Sequence, residues 1–256
     1  MADRNARQQG DPLGPTSAHE TQGLPARGRF VTFEGGEGAG KTTQITRLKA
    51  RLQVLGIEAV VTREPGGSPS AELIRRLLLS GKVKPLGAQM EAVMFAAARA
   101  DHVDTTIHPA LQRGDWVLCD RFSDSTRVYQ GEAGVDPAFL DRLERIAVAG
   151  HRPDLTVLVD VPAEIGLARV SSRSEGAGAQ TPDRFETEAV TTHERRRALF
   201  LELAEANPDR FVVVDGALPP DAVEAAVWQA VCARLLGDDL RVAAAAVVAA
   251  SGGDAR

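Results

Sequence analysis

The chain reads as an α/β protein, with five short parallel strands sandwiched between helices. Three observations lead there. Apolar, β-branched runs alternate with stretches of helical periodicity from residue 29 to residue 236. A glycine-rich octapeptide, Gly35 to Thr42, joins the first strand to the first helix. The chain of 256 residues is long enough for one substantial core with tails.

Residues 1–28 are polar, rich in Gly, Pro, Arg and Gln, and without periodicity, so they read as a disordered N-terminal tail. The first strand, 29–34, is aromatic and β-branched, and the helix at 41–55 repeats Ile45, Leu48, Leu52 and Leu55. Further strands are expected at 58–62, 115–120, 155–161 and 211–214. Helices are expected at 70–80, 88–113, 137–149, 163–172, 187–206 and 219–236. Strands separated by helices imply a parallel sheet with right-handed crossovers, and ligands on such a sheet collect at the strands' carboxyl ends. The alanine-rich tail, 237–256, is compatible with an extra helix or a frayed end.

Gly35-Gly36-Glu37-Gly38-Ala39-Gly40-Lys41-Thr42 matches the phosphate-binding pattern G-x-x-x-x-G-K-[ST], with a strand before it and a helix after it. Glycines let the backbone curl so that successive N–H groups face phosphate oxygens, and the helix N-terminus adds positive charge. Lys41 is then expected to reach the β/γ-phosphates and the Thr42 hydroxyl to ligate Mg²⁺. The fold class is therefore a P-loop NTPase that binds ATP. Asp120, at a strand end facing the loop, is a water-mediated Mg²⁺ partner in this reading.

A formal charge of −5 gives no reason to expect nucleic acid or a membrane surface as a partner. No apolar run reaches the roughly 18 residues of a membrane span, and the start lacks a signal peptide's apolar core. Cys119 and Cys232 show no metal-ligand spacing and read as core residues, which fits a reducing cytoplasm. The five histidines show no ligand spacing either, so surface or capping roles are expected. The 26 arginines against 4 lysines make Lys41 stand out.

No Asn-Lys-x-Asp motif follows the loop, and the Asp-x-x-Gly at Asp11 to Gly14 precedes it, so a GTPase is excluded. Ser80-Gly81-Lys82 does not match the Ser-Gly-Gly of transport ATPases. Kinases of small metabolites remain. Phe95 and Arg99, four apart, share one helix face. That spacing fits a base pocket, and by itself it fits a core phenylalanine beside a surface salt bridge better. Arg121 follows Asp120 and can grip an acceptor phosphate through two hydrogen bonds. The loop's variable positions carry no arginine, so a closing lid at 169–186 with Arg169, Arg173 and Arg184 is expected to neutralise transition-state charge.

Six motifs in order make the chain resemble the thymidylate kinase family over about residues 29–236. They are the loop with its flanks, Thr62-Arg-Glu-Pro-Gly-Gly67, Phe95 to Arg99, Asp120 to Gly131, Arg152 to Val161, and Asp183-Arg-Phe-Glu186. The resemblance implies phosphoryl transfer from ATP to dTMP, with Mg²⁺, in a homodimer packed through acceptor-side helices. It puts Glu34 and Glu37 near the metal and acceptor phosphate, and Arg63, Arg75 and Arg121 around that phosphate. The lesser alternative for Glu34 is a strand-end carboxylate satisfied by a neighbouring helix. The resemblance also assigns Phe95 and Arg99 to the thymine, with Ser125, Thr126 and Gln130 adding polar contacts and Tyr129 packing on the deoxyribose. Residues 174–182 are more glycine-rich than the family's lid, and Thr192 to Arg197 departs from its pattern. A kinase for another nucleoside monophosphate, or a nucleotide-binding module with little transferase activity, remain the alternatives.

Overall fold

The computed structural model describes residues 27–176, 185 and 188–237, without the side chains of 173–176. The expected tails therefore lie almost wholly outside the described residues. Five strands, β1 (Phe30–Glu34), β2 (Ala59–Arg63), β3 (Trp116–Asp120), β4 (Leu155–Asp160) and β5 (Phe211–Asp215), form one sheet in the order β2-β3-β1-β4-β5. Every pairing is parallel. β1, and β4 up to its last residue, are buried on both faces because helices cover both. Val31 and Phe33 enter a core built with α1 (Lys41–Val54) and α9 (Pro220–Leu235), whereas Phe30 enters a second core on the opposite face. β1 is central, and its neighbours β3 and β4 lie on either side, so the crevice opens at the end of β1.

The remaining helices are α2 (Pro69–Leu79), α3 (Ala88–His102), α4 (His108–Gln112), α5 (Ser123–Glu132), α6 (Pro137–Val148), α7 (Ala163–Gly176) and α8 (Val190–Ala206). Two differ from the sequence expectation. The single helix expected at 88–113 is interrupted by a π turn, Val103–Ile107, between α3 and α4. Pro109 supplies the reason: it has no N–H to donate and its ring crowds the carbonyl one turn earlier, so the chain widens there. The polar segment after β3, where the sequence pattern marks no helix, forms α5. Its own side chains provide no cap. The carboxylate of Glu34 does so from across the sheet, accepting from Phe122 N at 2.8 Å and from Ser125 N at 3.3 Å.

Sheet and loop are locked by two close approaches. Thr32 and Thr156, partners in the β1–β4 ladder, share a buried hydroxyl contact of 2.9 Å, and Arg210 reaches Thr156 at 2.7 Å. Gly38 turns the phosphate loop at φ +68°, where a Cβ would stand 2.0 Å from the carbonyl oxygen of Gly166 in α7. The reverse also holds, because a Cβ on Gly166 would stand 2.3 Å from the Glu37 carbonyl oxygen. Position 166 lies far outside the loop motif, yet it admits only glycine without backbone movement. Gly166→Ala is expected to cost about 1–3 kcal/mol of stability and to weaken ATP binding. Thermal unfolding and a nucleotide titration of that variant check both.

Candidate active site

The end of β1 runs into the phosphate loop, and α1 begins with Gly40 at φ +93° and no side-chain cap. Its first-turn N–H groups are thus offered to an anion rather than to a neighbouring side chain. Lys41 folds back over the loop, donating to the carbonyls of Gly35 at 3.1 Å and Gly36 at 2.8 Å. Burial, together with the nearby Arg121 guanidinium, lowers its pKa to about 8. Thr42 donates its hydroxyl to Asp120 at 3.0 Å. Two hard oxygen groups therefore sit side by side at the loop, which is the donor chemistry Mg²⁺ selects.

A cleft of about 240 Å³ continues from this loop. Glu37, Gly38, Ala39, Gly40, Lys41, Thr42 and Asp120 line its donor end. Arg75, Phe95, Arg99, Arg121, Ser125, Thr126, Tyr129 and Gln130 line the rest. Apart from Gly35, Gly36 and Arg63, the residues assigned to the two substrates thus come together in one cavity, supplied by the loop, α2, α3, the β3 end and α5.

Arg121 carries a positive φ of 68° at the corner between β3 and α5, an unfavourable conformation for a non-glycine residue. The corner turns its side chain to the loop, where Nη2 donates to Glu37 at 3.0 Å and Nη1 to Ser125 at 3.1 Å. Burial opposes its charge, but Tyr129, Glu37, Asp120 and Glu34 more than offset this and hold its pKa above the ordinary arginine value. Glu37 also accepts from the Tyr129 hydroxyl at 2.6 Å and lies 3.1 Å from His193 Nδ1. Burial would raise its pKa, yet Arg121, His193, Lys41 and Tyr129 together hold it below the usual carboxylate range. Glu37 stays ionised.

Three predicted positions are placed differently. Glu34 is fully buried and outside the cleft lining; besides capping α5 it accepts from the Ser125 hydroxyl at 2.6 Å. Its contacts are those of the helix-capping alternative, and the metal assignment has no support from the cleft lining. Arg63 is exposed and pairs with Glu72 at 3.1 Å, because the last residue of the edge strand β2 turns outward. Arg169 donates to the Gly216 carbonyl at 2.9 Å, which ties α7 to the β5 exit rather than to the cleft. The side chain of Arg173 and all of Arg184 lie outside the described residues, as does half of the expected lid.

Sequence reasoning missed several participants. Glu64 and Phe122 line the cleft, and so does Phe185, whose ring meets Tyr129 edge-on at 5.4 Å. The histidines do not all follow the surface expectation, since His102 is fully buried and His193 nearly so. The run His193 to Arg197, marked only as a departure, reaches several elements. His193 meets Glu37, Glu194 accepts from Ala163 N at 2.6 Å, and Arg197 pairs with Asp160 at 2.7 Å. The dense charge of the run was its one readable signal.

A phosphate-binding loop beside a polar, aromatic acceptor cavity defines the class: a P-loop kinase of small phosphorylated metabolites. The family model for thymidylate kinase matches residues 33–227. The thymidylate kinase of Nitrobacter winogradskyi is 55% identical over 214 residues, 83% of this chain and 92% of that protein. Those of a Bradyrhizobium strain and of Afipia carboxidovorans are 55% and 51% identical over 82% and 84% of the chain, covering 92% and 93% of their own lengths. The chain belongs to the thymidylate kinase family.

Burial and the nearby Asp124 raise the pKa of Glu34 to about 7. An unfolded glutamate releases its proton near 4.5, so the folded state holds that proton through the interval between. The stabilisation tied to it is complete below the unfolded value and is lost as pH rises through about 7. The unfolding midpoint of the wild type relative to Glu34→Gln should therefore fall between about pH 5 and about pH 8 in thermal melts, because the amide does not titrate.

Proposed function

We infer that the protein is a dTMP kinase, transferring the γ-phosphoryl group of ATP to the 5′-phosphate of dTMP to give dTDP and ADP. The observation that carries this is the single cavity in which the phosphate loop faces Phe95, Arg99, Arg121 and Tyr129. Phosphoryl transfer needs alignment and positive charge more than covalent help. In this reading the loop N–H groups and Lys41 hold the donor's phosphates. Arg121 carries a permanent charge and meets the acceptor phosphate through its two Nη groups. The acceptor phosphate itself supplies the attacking oxygen. Phe95 stacks on the pyrimidine, Arg99 donates to a ring carbonyl, and Tyr129 covers the sugar. Thr126 and Gln130 add polar contacts, and Arg75 stands at the acceptor phosphate.

Mg²⁺ would be held by Thr42 and, through water, Asp120; when bound it neutralises charge on the donor's phosphates. Charge to stabilise the transition state comes further from the lid arginines, among them Arg173 and Arg184, because the loop carries none. The domain plan is a kinase domain over 29–236 with its lid at 169–186. A homodimer is part of the proposal. Leu73 and Leu77 of α2, Met90 of α3 and Ile146 of α6 are exposed apolar side chains on adjoining acceptor-side helices, which suits burial against a second copy. Cys119 is buried, with its thiol pKa pushed up by burial, and such an unreactive core cysteine suits a reducing cytoplasm.

The direct test is an ATP-coupled assay with dTMP, dUMP, dCMP, dGMP and UMP. Preference for dTMP is expected, and equal use of the five would overturn the reading. Lys41→Met should lower kcat by about a thousandfold or more while the melting transition survives. Near-normal turnover of that variant would remove the site assignment. Sedimentation at micromolar concentration should return the mass of two chains, and Ile146→Glu should return that of one.

A further inference from the structure

Behind Arg99 lies a buried chain of polar groups that the proposed transfer does not itself use. Glu64 divides its carboxylate between two neighbours. Its Oε2 accepts from Arg99 Nε at 2.7 Å, and its Oε1 lies 3.0 Å from His102 Nδ1. All three side chains are buried. The second ring nitrogen of His102 is 2.7 Å from the Thr62 hydroxyl, so the histidine is fixed at both ends. The backbone closes over this pair at Gly67, where a Cβ would stand 2.3 Å from His102 Nε2 and 2.4 Å from Thr62 Oγ1. Arg99 is held on its other side as well. Its Nη2 donates to the Phe122 carbonyl at 3.1 Å and to the Thr126 hydroxyl at 3.0 Å, and its Cζ lies 5.2 Å from the Phe122 ring centre.

These bonds engage Nε and Nη2 and leave Nη1 as the remaining nitrogen of a residue that lines the cleft. A guanidinium only donates hydrogen bonds. Facing a pyrimidine with a carbonyl at C4, it is satisfied. Facing an amino group at C4, it sets donor against donor. An arginine free to swing would avoid that clash by changing rotamer. One tied to a buried carboxylate cannot leave without stranding that carboxylate, which is a heavier penalty. Rejection of the wrong base is then as strong as the tie is firm.

We propose that Glu64 and His102 are positioning residues for base selectivity: through the Arg99–Glu64–His102–Thr62 chain they immobilise the base-facing guanidinium, so that 4-oxo pyrimidine nucleotides are accepted and 4-amino ones rejected. The proposal rests on Arg99 reading the base, as inferred above. It assigns the discrimination not to Arg99 alone but to the two residues behind it.

The test compares kcat/KM for dTMP and dCMP, with the inhibition constant of dCMP against dTMP where dCMP turnover is too slow. The dTMP:dCMP ratio does not depend on what fraction of a preparation is folded. Glu64→Gln, which neutralises the tie, should lower the ratio about tenfold. His102→Leu should lower it in the same direction. His102→Asn, whose amide nitrogen can stand where Nδ1 stands, should keep it within about twofold of the wild type. The KM for ATP should remain within about twofold in all three. An unchanged ratio in Glu64→Gln and His102→Leu, with both acceptors losing efficiency together, would overturn the proposal and mark the chain as purely structural. A wild type indifferent between dTMP and dCMP would overturn the acceptor assignment instead, so the two failures are distinct.

Discussion

The Glu34 carboxylate, buried at the end of β1, is the contact through which the phosphate loop and the acceptor side share one frame. It accepts from Phe122 N, Ser125 N and the Ser125 hydroxyl, so the first turn of α5 is attached to the strand that launches the loop. Arg121, Ser125 and Tyr129 all depend on where that turn sits. Three residues later in the chain, Glu37 makes the complementary contact from the loop itself, meeting Arg121, Tyr129 and His193. Two carboxylates on one short segment therefore fix the separation between donor and acceptor ends. In-line transfer tolerates little error in that separation.

Charge in the cleft is distributed to match. Lys41 is desolvated, with its pKa near 8, and among the described residues it is hydrogen-bonded only to loop carbonyls, so its ammonium gains when phosphate oxygens replace them. Arg121 is the opposite case, a guanidinium kept charged by the carboxylates and the tyrosine around it. The hydrogen-bonded pair Thr42 and Asp120 lies in the same cleft. A buried anion such as Glu37 is tolerated there because three donors surround it.

Much of the site was readable as sequence, and the gaps have physical causes. The phosphate loop announces itself because backbone geometry dictates glycine at fixed spacing. The strands appear because both faces of a parallel sheet are apolar. α5 was not readable as a helix, since its cap is a glutamate nearly ninety residues earlier and its sequence is polar. The π turn was not readable because nothing local distinguishes a proline that ends a helix from one that widens it. Phe95 and Arg99 left two interpretations open by spacing. The structure puts both residues at the cleft and ties Arg99 to the buried Glu64, a partner that neither interpretation had named.

The sequence by itself determined the class of chemistry: an anion cradle, a lysine, a hydroxyl beside it, and the strand–helix alternation that brings them to one edge. These follow from short-range rules of backbone conformation and apolar periodicity. Only the tertiary structure decided which charged residues serve the cleft. Arg63 and Arg169 turn to Glu72 and to the Gly216 carbonyl, Glu34 turns to a helix end, and His102 and His193 turn inward. A charged side chain's role depends on partners dozens of residues away, and no local pattern encodes which partner it meets.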